Sequence, residues 1–350
     1  MKPNIVLLML DQQHFMAMGR ANPAVKTPNL DRLVDEGTWF TQAYCASPVC
    51  VASRTAMLCG MPAEYCRGVG GLEFMAQDLP HPLLSHYLHN AGYQTFVGGK
   101  IFHHRYDRTR PFGDNGYDAC AECRGGKPDF KTFSALDDYF KADDPEACEI
   151  RNSILPFFNS PEQRRRDVTF EDQGNQSVKG YVGITLELPK ERTHDWYVLN
   201  ETLNYLDKLK HDQPFHIALG FNTPHAPLCP PREFVDMYAF DEIKIPPYWE
   251  NPFETPPAWG HCTLRRWEQW GKLPLNIKKE AYLRYYAAIS YADYLFGRLL
   301  KDLQEKGVYE NTLFVFTTDH GDHMGARGIF AKGTLYEGSV RVPLVLTWPA

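Results

Sequence analysis

Three short runs of this chain are apolar almost without interruption: residues 4–10 (NIVLLML), 215–221 (FHIALGF) and 311–318 (NTLFVFTT). A strand with one wet face alternates polar and apolar residues. A run that is apolar at nearly every position is expected of a strand covered on both faces, as in a parallel sheet. Residues 93–98 (YQTFVG) read as another strand, residues 38–44 as a β-rich piece, and residues 344–348 as the start of a further strand. Helical patterns lie between them. Residues 27–37 open with Thr27 as cap and Pro28 at the first helical position, and close at Gly37. Residues 83–90 close at Gly92, and residues 194–209 space Val198, Leu199, Leu203, Leu206 and Leu209 at helical intervals. The longest pattern, 278–306, puts Ala281, Tyr285, Ala288, Ala292, Leu295 and Leu299 on one stripe and ends at Gly307, which marks it as packing rather than chemistry. Strands alternating with helices predict an α/β fold with a central, mostly parallel sheet flanked by helices. A length of 350 residues suits one large domain of this kind or two smaller ones. The expectation here is a single domain over 1–350.

Each strand ends in a polar segment. Asp11-Gln12-Gln13 stands after the first, Gly99-Lys100-Ile101-Phe102-His103 after the 93–98 strand, Asn222-Thr223-Pro224-His225-Ala226-Pro227 after the third, and Asp319-His320-Gly321-Asp322-His323 after the last. Open α/β sheets bind ligands beyond the carboxyl ends of their strands. Taken singly, these residues are ambiguous. Asp11 reads equally as a cap or loop residue, Lys100 as a solvated strand end, His103 as a satisfied polar side chain, and His225 as a loop histidine held between prolines. Gly98-Gly99 would let the chain turn close to a ligand, and Gly321 would allow a tight turn. Carboxylate oxygens at Asp11 and Asp319 suit a hard cation, and an imidazole can join them. Zinc held by His320 and His323 is disfavoured, because neither a helical His-x-x-x-His nor a nearby cysteine set is present. Residues 47–60 (SPVCVASRTAMLCG) place Cys50 after a Ser-Pro turn, at the start of a helical run. Unpaired N–H groups and the helix dipole favour negative charge there, so the thiol could be an acidic nucleophile. The plain alternative is a buried cysteine in a small-residue turn.

A net charge of −6 gives no electrostatic reason to expect nucleic acid, although a local cluster of cations could still hold a small anion. No apolar run is long enough to span a membrane. The chain passes from Met1-Lys2-Pro3 directly into a strand, which predicts a cytoplasmic protein, or a periplasmic or secreted one if a leader has been trimmed. Nine scattered cysteines do not resemble a disulfide framework, and Cys120-Ala121-Glu122-Cys123 reads as loop thiols. The triplet Arg164-Arg165-Arg166 reads as solvated surface, within a stretch, 105–192, expected to form a substrate-selecting insertion.

Several of these pieces resemble one family. Cys50-Val51-Ala52-Ser53-Arg54 is similar to the sulfatase signature Cys-x-Pro/Ala-x-Arg. Residues 27–44 resemble the family's TPNLDRLAxEGxxFxxAY segment, and residues 92–103 its GYxTxxxGKxxH block. Pro224-His225-Ala226-Pro227 matches PHxP, and residues 317–344 match TSDHGxxxG…KxxxYExxxRVPL, which places Lys332 on the family lysine. Lys-x-Phe-His at 100–103 is closest to iduronate-2-sulfatase-like members, and the amino-terminal third also resembles choline-sulfatase-like ones. The resemblance covers almost the whole chain. It implies the alkaline-phosphatase-like three-layer sandwich, and, because family members usually continue past the point matching Ala350, it predicts that a C-terminal subdomain is missing or truncated here.

The resemblance also implies a chemistry. A maturation enzyme would oxidise Cys50 to formylglycine, whose hydrated form offers a gem-diol oxygen as nucleophile toward a sulfate ester. One divalent cation, calcium by preference, would be held by Asp11, Gln12, Asp319, His320 and the group derived from Cys50. Gln12 stands where the family often has a second Asp, which removes one negative charge and leaves a carbonyl oxygen. Arg54 would orient the diol, Lys100 and Lys332 would neutralise sulfate oxygens, His103 would assist the diol, and His225 would act as general acid toward the leaving group. The implied substrate is a sulfated sugar or another small organic sulfate. Two readings compete with a sulfatase. One is a phosphonate monoester or phosphodiester hydrolase of the same superfamily, and the other is a non-catalytic binder of sulfated ligands if Cys50 stays a thiol.

Overall fold

The computed structural model of the chain describes residues 2–66, 82–102, 116–121, 183, 185–187, 189–210, 212–245, 273–326 and 329–349. Nine strands are found among them: β1 (Asn4–Leu10), β2 (Thr38–Trp39), β3 (Ala43–Tyr44), β4 (Gln94–Gly99), β5 (Ala119–Ala121), β6 (Phe215–Gly220), β7 (Thr312–Thr318), β8 (Arg341–Val342) and β9 (Leu344–Thr347). The helices used below are α1 (Pro28–Asp35), α2 (Cys50–Cys59), α3 (Leu84–Asn90), α4 (His194–Leu206), α5 (Arg232–Val235), α6 (Leu275–Glu305) and α7 (Glu337–Val340). The stretch 105–192, expected to be a substrate-selecting insertion, lies largely outside the described residues with its Arg164–Arg166 triplet, as does His103.

Seven strands form one sheet in the order β2-β9-β7-β1-β6-β4-β5, and β3 pairs with β8 in a separate ribbon. β7, β1, β6, β4 and β5 run parallel, whereas β9, near one edge, is antiparallel to both its neighbours, β7 and β2. Side chains of a strand alternate between faces, and β1 divides accordingly. Val6, Leu8 and Leu10 join the core under α1, α4 and α6, while Leu7 and Met9 join a smaller cluster with Leu58 of α2, Leu83 and Val97. This is a three-layer α/β sandwich, and it explains why β1 shows no polar alternation. All six residues of the stripe on α6 are buried. Each fully buried Leu there is worth roughly 1.5–3 kcal/mol.

The structure revises two local readings and extends a third. The piece read as one β-rich segment, 38–44, is split between the main sheet and the ribbon. Thr27 does not cap α1 with its side chain. Its hydroxyl accepts from Gly19 N and donates to Asp31, and the orphan N–H groups of α1 go instead to Asp293 of α6, at 2.7 Å from Leu30 N and 3.2 Å from Asn29 N. Gly99 and Gly321, read as sites of close or tight turns, are required as well by close approach of neighbouring backbone. A Cβ on Gly99, whose φ is +65°, would stand 2.0 Å from Gly220 O, and one on Gly321 would stand 2.1 Å from Gly338 O.

Register creates the site. Leu10 stands beside Thr318, Met9 beside Gly220, and Gly220 beside Gly99. The next residues of β1, β7 and β4 are Asp11, Asp319 and Lys100, so three remote segments emerge at one sheet edge.

Candidate active site

Cys50 is the first residue of α2. The preceding Val49 is extended and offers no side-chain cap, and Gly60, at φ +64°, closes the helix. Arg54 follows Cys50 by four residues and so shares its face. Both side chains are buried, and both point at the ends of β1 and β7.

The centre of the site is a set of four ligand atoms. A carboxylate oxygen of Asp11, the sulfur of Cys50, a carboxylate oxygen of Asp319 and a ring nitrogen of His320 all lie within 4.8 Å of one another. Oxygen ligands sit about 2.3–2.6 Å from calcium, so opposite ligands are about 5 Å apart and the set fits one ion. His320 Nδ1 is 3.0 Å from the Gly321 carbonyl. A carbonyl only accepts, so the proton is on Nδ1 and the Nε2 lone pair faces the cluster. Nε2 is 3.1 Å from Cys50 Sγ, 3.5 Å from Asp319 Oδ2 and 4.0 Å from Asp11 Oδ1. Burial pushes the His320 imidazole below its ordinary pKa, which keeps it neutral and able to ligate. Neither carboxylate oxygen of Asp11 accepts a hydrogen bond among the described residues, although both are buried. Carboxylate oxygens that accept no hydrogen bond, beside an imidazole lone pair and a sulfur, form a donor set that suits a divalent cation.

Cationic side chains surround this centre. Lys100 Nζ is ion-paired with Asp11, and Arg54 Nη2 is 3.4 Å from the same carboxylate. Arg54 Nε donates to Asp319 Oδ2 at 2.7 Å, and its Nη1 reaches the Lys100 and Ile101 carbonyls. Lys332 Nζ is 2.7 Å from Cys50 Sγ. Burial would raise the Asp11 carboxyl, but Lys100, His225, Arg54 and Lys332 outweigh it and hold the group well below the usual range. Burial likewise opposes ionisation of Asp319, and Arg54 with its neighbours holds that carboxyl at about 2. Lys332 is raised, because Asp11, Cys50 and Asp319 outweigh its desolvation.

The structure brings together Asp11, Cys50, Arg54, Lys100, Asp319, His320 and Lys332, and His225 lies near enough for its charge to act on Asp11. Gln12 has φ +68° and is fixed on three sides. Its N–H donates to Asp319 Oδ1 at 3.1 Å, its backbone carbonyl accepts from Tyr285 Oη at 2.7 Å, and its Nε2 donates to Asp322 Oδ2 at 2.6 Å. A left-handed non-glycine residue carries roughly 1–3 kcal/mol of strain, which these bonds offset. Sequence reasoning missed the roles of Asp322 and Tyr285. Asp322 had a signal, as the second acid of Asp319-His320-Gly321-Asp322, whereas Tyr285 looked like any other core position of α6. A separate cavity of about 550 Å³ lies behind Asp319, lined mainly by apolar groups from Ile5, Leu7, Met57, Val315 and Leu344. Arg54, Lys100 and Lys332 do not line it, so it is not the anion site.

The sulfatase family model matches residues 3–350. The chain belongs to the sulfatase family. An arylsulfatase from Clostridium perfringens is 32% identical over 363 residues, which span all of this chain and 69% of that protein. Iduronate 2-sulfatase from Mus musculus and choline-sulfatase from Rhizobium meliloti are each 25% identical, over 99% of this chain and 59% and 63% of theirs. The chain spans 56–69% of the length of the first curated sulfatases it matches. Among solved structures, the phosphonate monoester hydrolase of Agrobacterium radiobacter superposes with a TM-score of 0.71 at 20% identity, over 99% of this chain and 68% of that one. A protein in complex with its substrate D-glucosamine-2-N,6-O-disulfate superposes with a TM-score of 0.64 at 19% identity, over 100% and 72%. Both show the fold of this sulfatase, with its parallel sheet between helical layers.

Proposed function

We propose that this sulfatase hydrolyses a sulfate ester, using formylglycine formed from Cys50 and one divalent cation, Ca²⁺, held by Asp11, Asp319, His320, the Cys50-derived group and the Gln12 side-chain carbonyl. The observation that carries the reading is the four-atom ligand cluster set within reach of three cationic side chains. A sulfate ester is a stable anion, and its hydrolysis needs charge neutralised, a nucleophile in line with the leaving oxygen, and a proton for that oxygen. Matured Cys50 would supply the nucleophilic hydroxyl, and the cation would lower its pKa and polarise the ester.

The remaining work falls to ordinary side chains. Lys332, already against Cys50, is placed to neutralise oxygens of a group attacked there. Lys100, paired with Asp11, supplies a second positive charge. Arg54 holds the two carboxylates together and keeps both ionised. His225 serves as general acid. Its Nδ1 is 2.6 Å from the Ala226 carbonyl and so carries a proton, which leaves Nε2 as the atom that gives its proton to the leaving oxygen. The substrate we favour is a sulfated saccharide, supported by the D-glucosamine disulfate bound by a protein of this fold. The partner this requires is a formylglycine-generating maturation enzyme.

The test has two arms. Mass spectrometry of the Cys50 peptide, from cells that contain a maturation enzyme, should show loss of sulfur in favour of the aldehyde. Turnover should then be faster on an aryl sulfate than on an aryl phosphonate monoester, and Cys50→Ala should abolish it. Full turnover by the Ala variant would overturn the assigned nucleophile. A preference for the phosphonate would select the reading suggested by the Agrobacterium neighbour.

A further inference from the structure

Asp195 is the second residue of α4, a position where a carboxylate ordinarily faces water and favours the helix dipole. Here it is only 5% exposed. Its Oδ2 accepts from Thr223 Oγ1 at 2.7 Å, and its Oδ1 accepts from Asn222 N at 3.3 Å and lies 3.2 Å from His194 Nδ1. Asn222 and Thr223 lie within the three residues that precede His225. The Asn222 carbonyl accepts from His225 N at 2.8 Å, and the Thr223 carbonyl accepts from Asp11 N at 3.3 Å. One buried carboxylate therefore grips the turn that presents His225 and, through the same threonine, the backbone of a cation ligand. Burying a carboxylate against neutral donors is costly unless those bonds are made. Helix formation does not require this one, because Thr193 already caps α4 by accepting from Trp196 N at 3.2 Å.

We infer that Asp195 is a positioning residue for His225, setting where the histidine delivers its proton by clamping Asn222 and Thr223. The inference rests on the proposed sulfatase reaction with His225 as general acid. Asp11 is also held by Lys100 and Arg54, so loss of the clamp should disturb the acid more than the cation ligands or the nucleophile. The penalty should then grow with how badly the leaving oxygen needs a proton. A merely structural role would slow all substrates alike.

The test compares wild type, Asp195→Ala, Thr223→Val and His225→Ala on 4-nitrophenyl sulfate and on phenyl sulfate, whose leaving group is the more basic. For Asp195→Ala, kcat on phenyl sulfate should fall by about 10–100-fold, part of the 10²–10⁴-fold a general acid supplies, and by less than about 3-fold on 4-nitrophenyl sulfate, with KM little changed. Thr223→Val should show the same leaving-group dependence with a smaller loss, and Asp195→Ala should add little to His225→Ala. Equal losses on both substrates, or fully additive ones, overturn the inference. If Asp195→Ala does not fold, Thr223→Val decides alone, and a flat profile for it overturns the inference. A second readout needs no turnover. The ring ¹⁵N signals of His225, assigned by their disappearance in His225→Ala, should shift in Asp195→Ala and Thr223→Val, and unshifted signals overturn the inference. Wild type without sulfate turnover defeats the functional reading, whereas a leaving-group effect in His225→Ala that is missing from the Asp195 and Thr223 variants defeats only the clamp.

Discussion

Replacing Arg54 by Met isolates what holds the site together when no ion is bound. Arg54 is 1% exposed, donates to Asp319 at 2.7 Å and stands 3.4 Å from Asp11. Met fills similar volume but removes the charge that two buried carboxylates share. Removing one partner of a buried ion pair costs about 3–5 kcal/mol, because the other charge stays buried and unpaired. Lys100 still neutralises Asp11, so the loss should fall mainly on Asp319 and on the two carbonyls that Arg54 Nη1 serves. In a chain of this size that corresponds to a Tm lower by roughly 4–7 °C in EDTA. On the proposed function a calcium ion would bind beside the carboxylates that Arg54 otherwise neutralises, so adding CaCl₂ should raise Tm more in the variant than in wild type. Acid should narrow the gap. The Asp319 carboxyl is depressed to about 2 in the folded protein, so the stability it contributes is present above the ordinary carboxylate pKa and is lost as pH falls through about 2. Arg54→Met raises that pKa, and the difference in stability between the two proteins should shrink from about pH 4 downward. Differential scanning fluorimetry with EDTA or CaCl₂ over a pH series checks all three. A variant melting within about 1 °C of wild type in EDTA, or gaining no more than wild type from calcium, would refute the reasoning.

Two other buried carboxyl groups, Asp322 and Asp293, give further outcomes. Asp322 Oδ1 accepts from Met324 N at 2.7 Å and Ala331 N at 3.2 Å, while Oδ2 takes Gln12 Nε2; Asp322→Asn keeps the backbone bonds and presents an amide N–H₂ to Gln12, which must turn over. Calcium affinity by titration calorimetry should fall about tenfold or more, and Gln12→Glu in the same chain should restore it; a wild-type affinity in Asp322→Asn would sink this account. Burial raises the Asp293 carboxyl to about 7 despite its bonds to Leu30 and Asn29, so the folded state binds the extra proton between about pH 4 and 7 and its contribution to stability declines over that window. Asp293→Asn should remove a slope of up to about 1.4 kcal/mol per pH unit from urea unfolding curves, and an unchanged pH dependence would show that Asp293 does not titrate there.

The strands were legible because the physics that buries both faces of a parallel sheet also removes polar residues from it, and β1, β6 and β7 carry that mark in their composition. The motif residues were legible because they come immediately after those strands, so a correct strand assignment also placed Asp11, Lys100 and Asp319 at one edge. What the sequence hid was the partner of each group. Thr27 looked like the cap of α1, but the carboxylate that does the capping, Asp293, arrives from more than 260 positions away along the chain. Tyr285 fitted an apolar stripe, and only the fold shows its hydroxyl bridging His14 N and the Gln12 backbone carbonyl. Asp195 carries no mark in the sequence of the turn at Asn222 and Thr223 that it meets. Periodicity assigns a residue to a face, but it says nothing about the hydrogen-bonding group that meets that face.

Charge makes the same distinction between the whole and the site. The chain carries a net −6, which on its own gives no electrostatic reason to expect an anionic partner. At the sheet edge the sign reverses. Two carboxylates, Asp11 and Asp319, face three cationic side chains, Arg54, Lys100 and Lys332, and His320 is kept neutral by burial. The cluster is thus positive by about one charge before any ion enters, and a divalent cation would add two more. Charges of like sign at 4 Å repel by about 4 kcal/mol at an effective dielectric near 20. An excess of that size calls for an anion in the same place, and a sulfate ester brings one together with the bond to be broken. Gln12 in place of a second acid moves the balance further in this direction, because a carbonyl oxygen can ligate a cation without cancelling its charge.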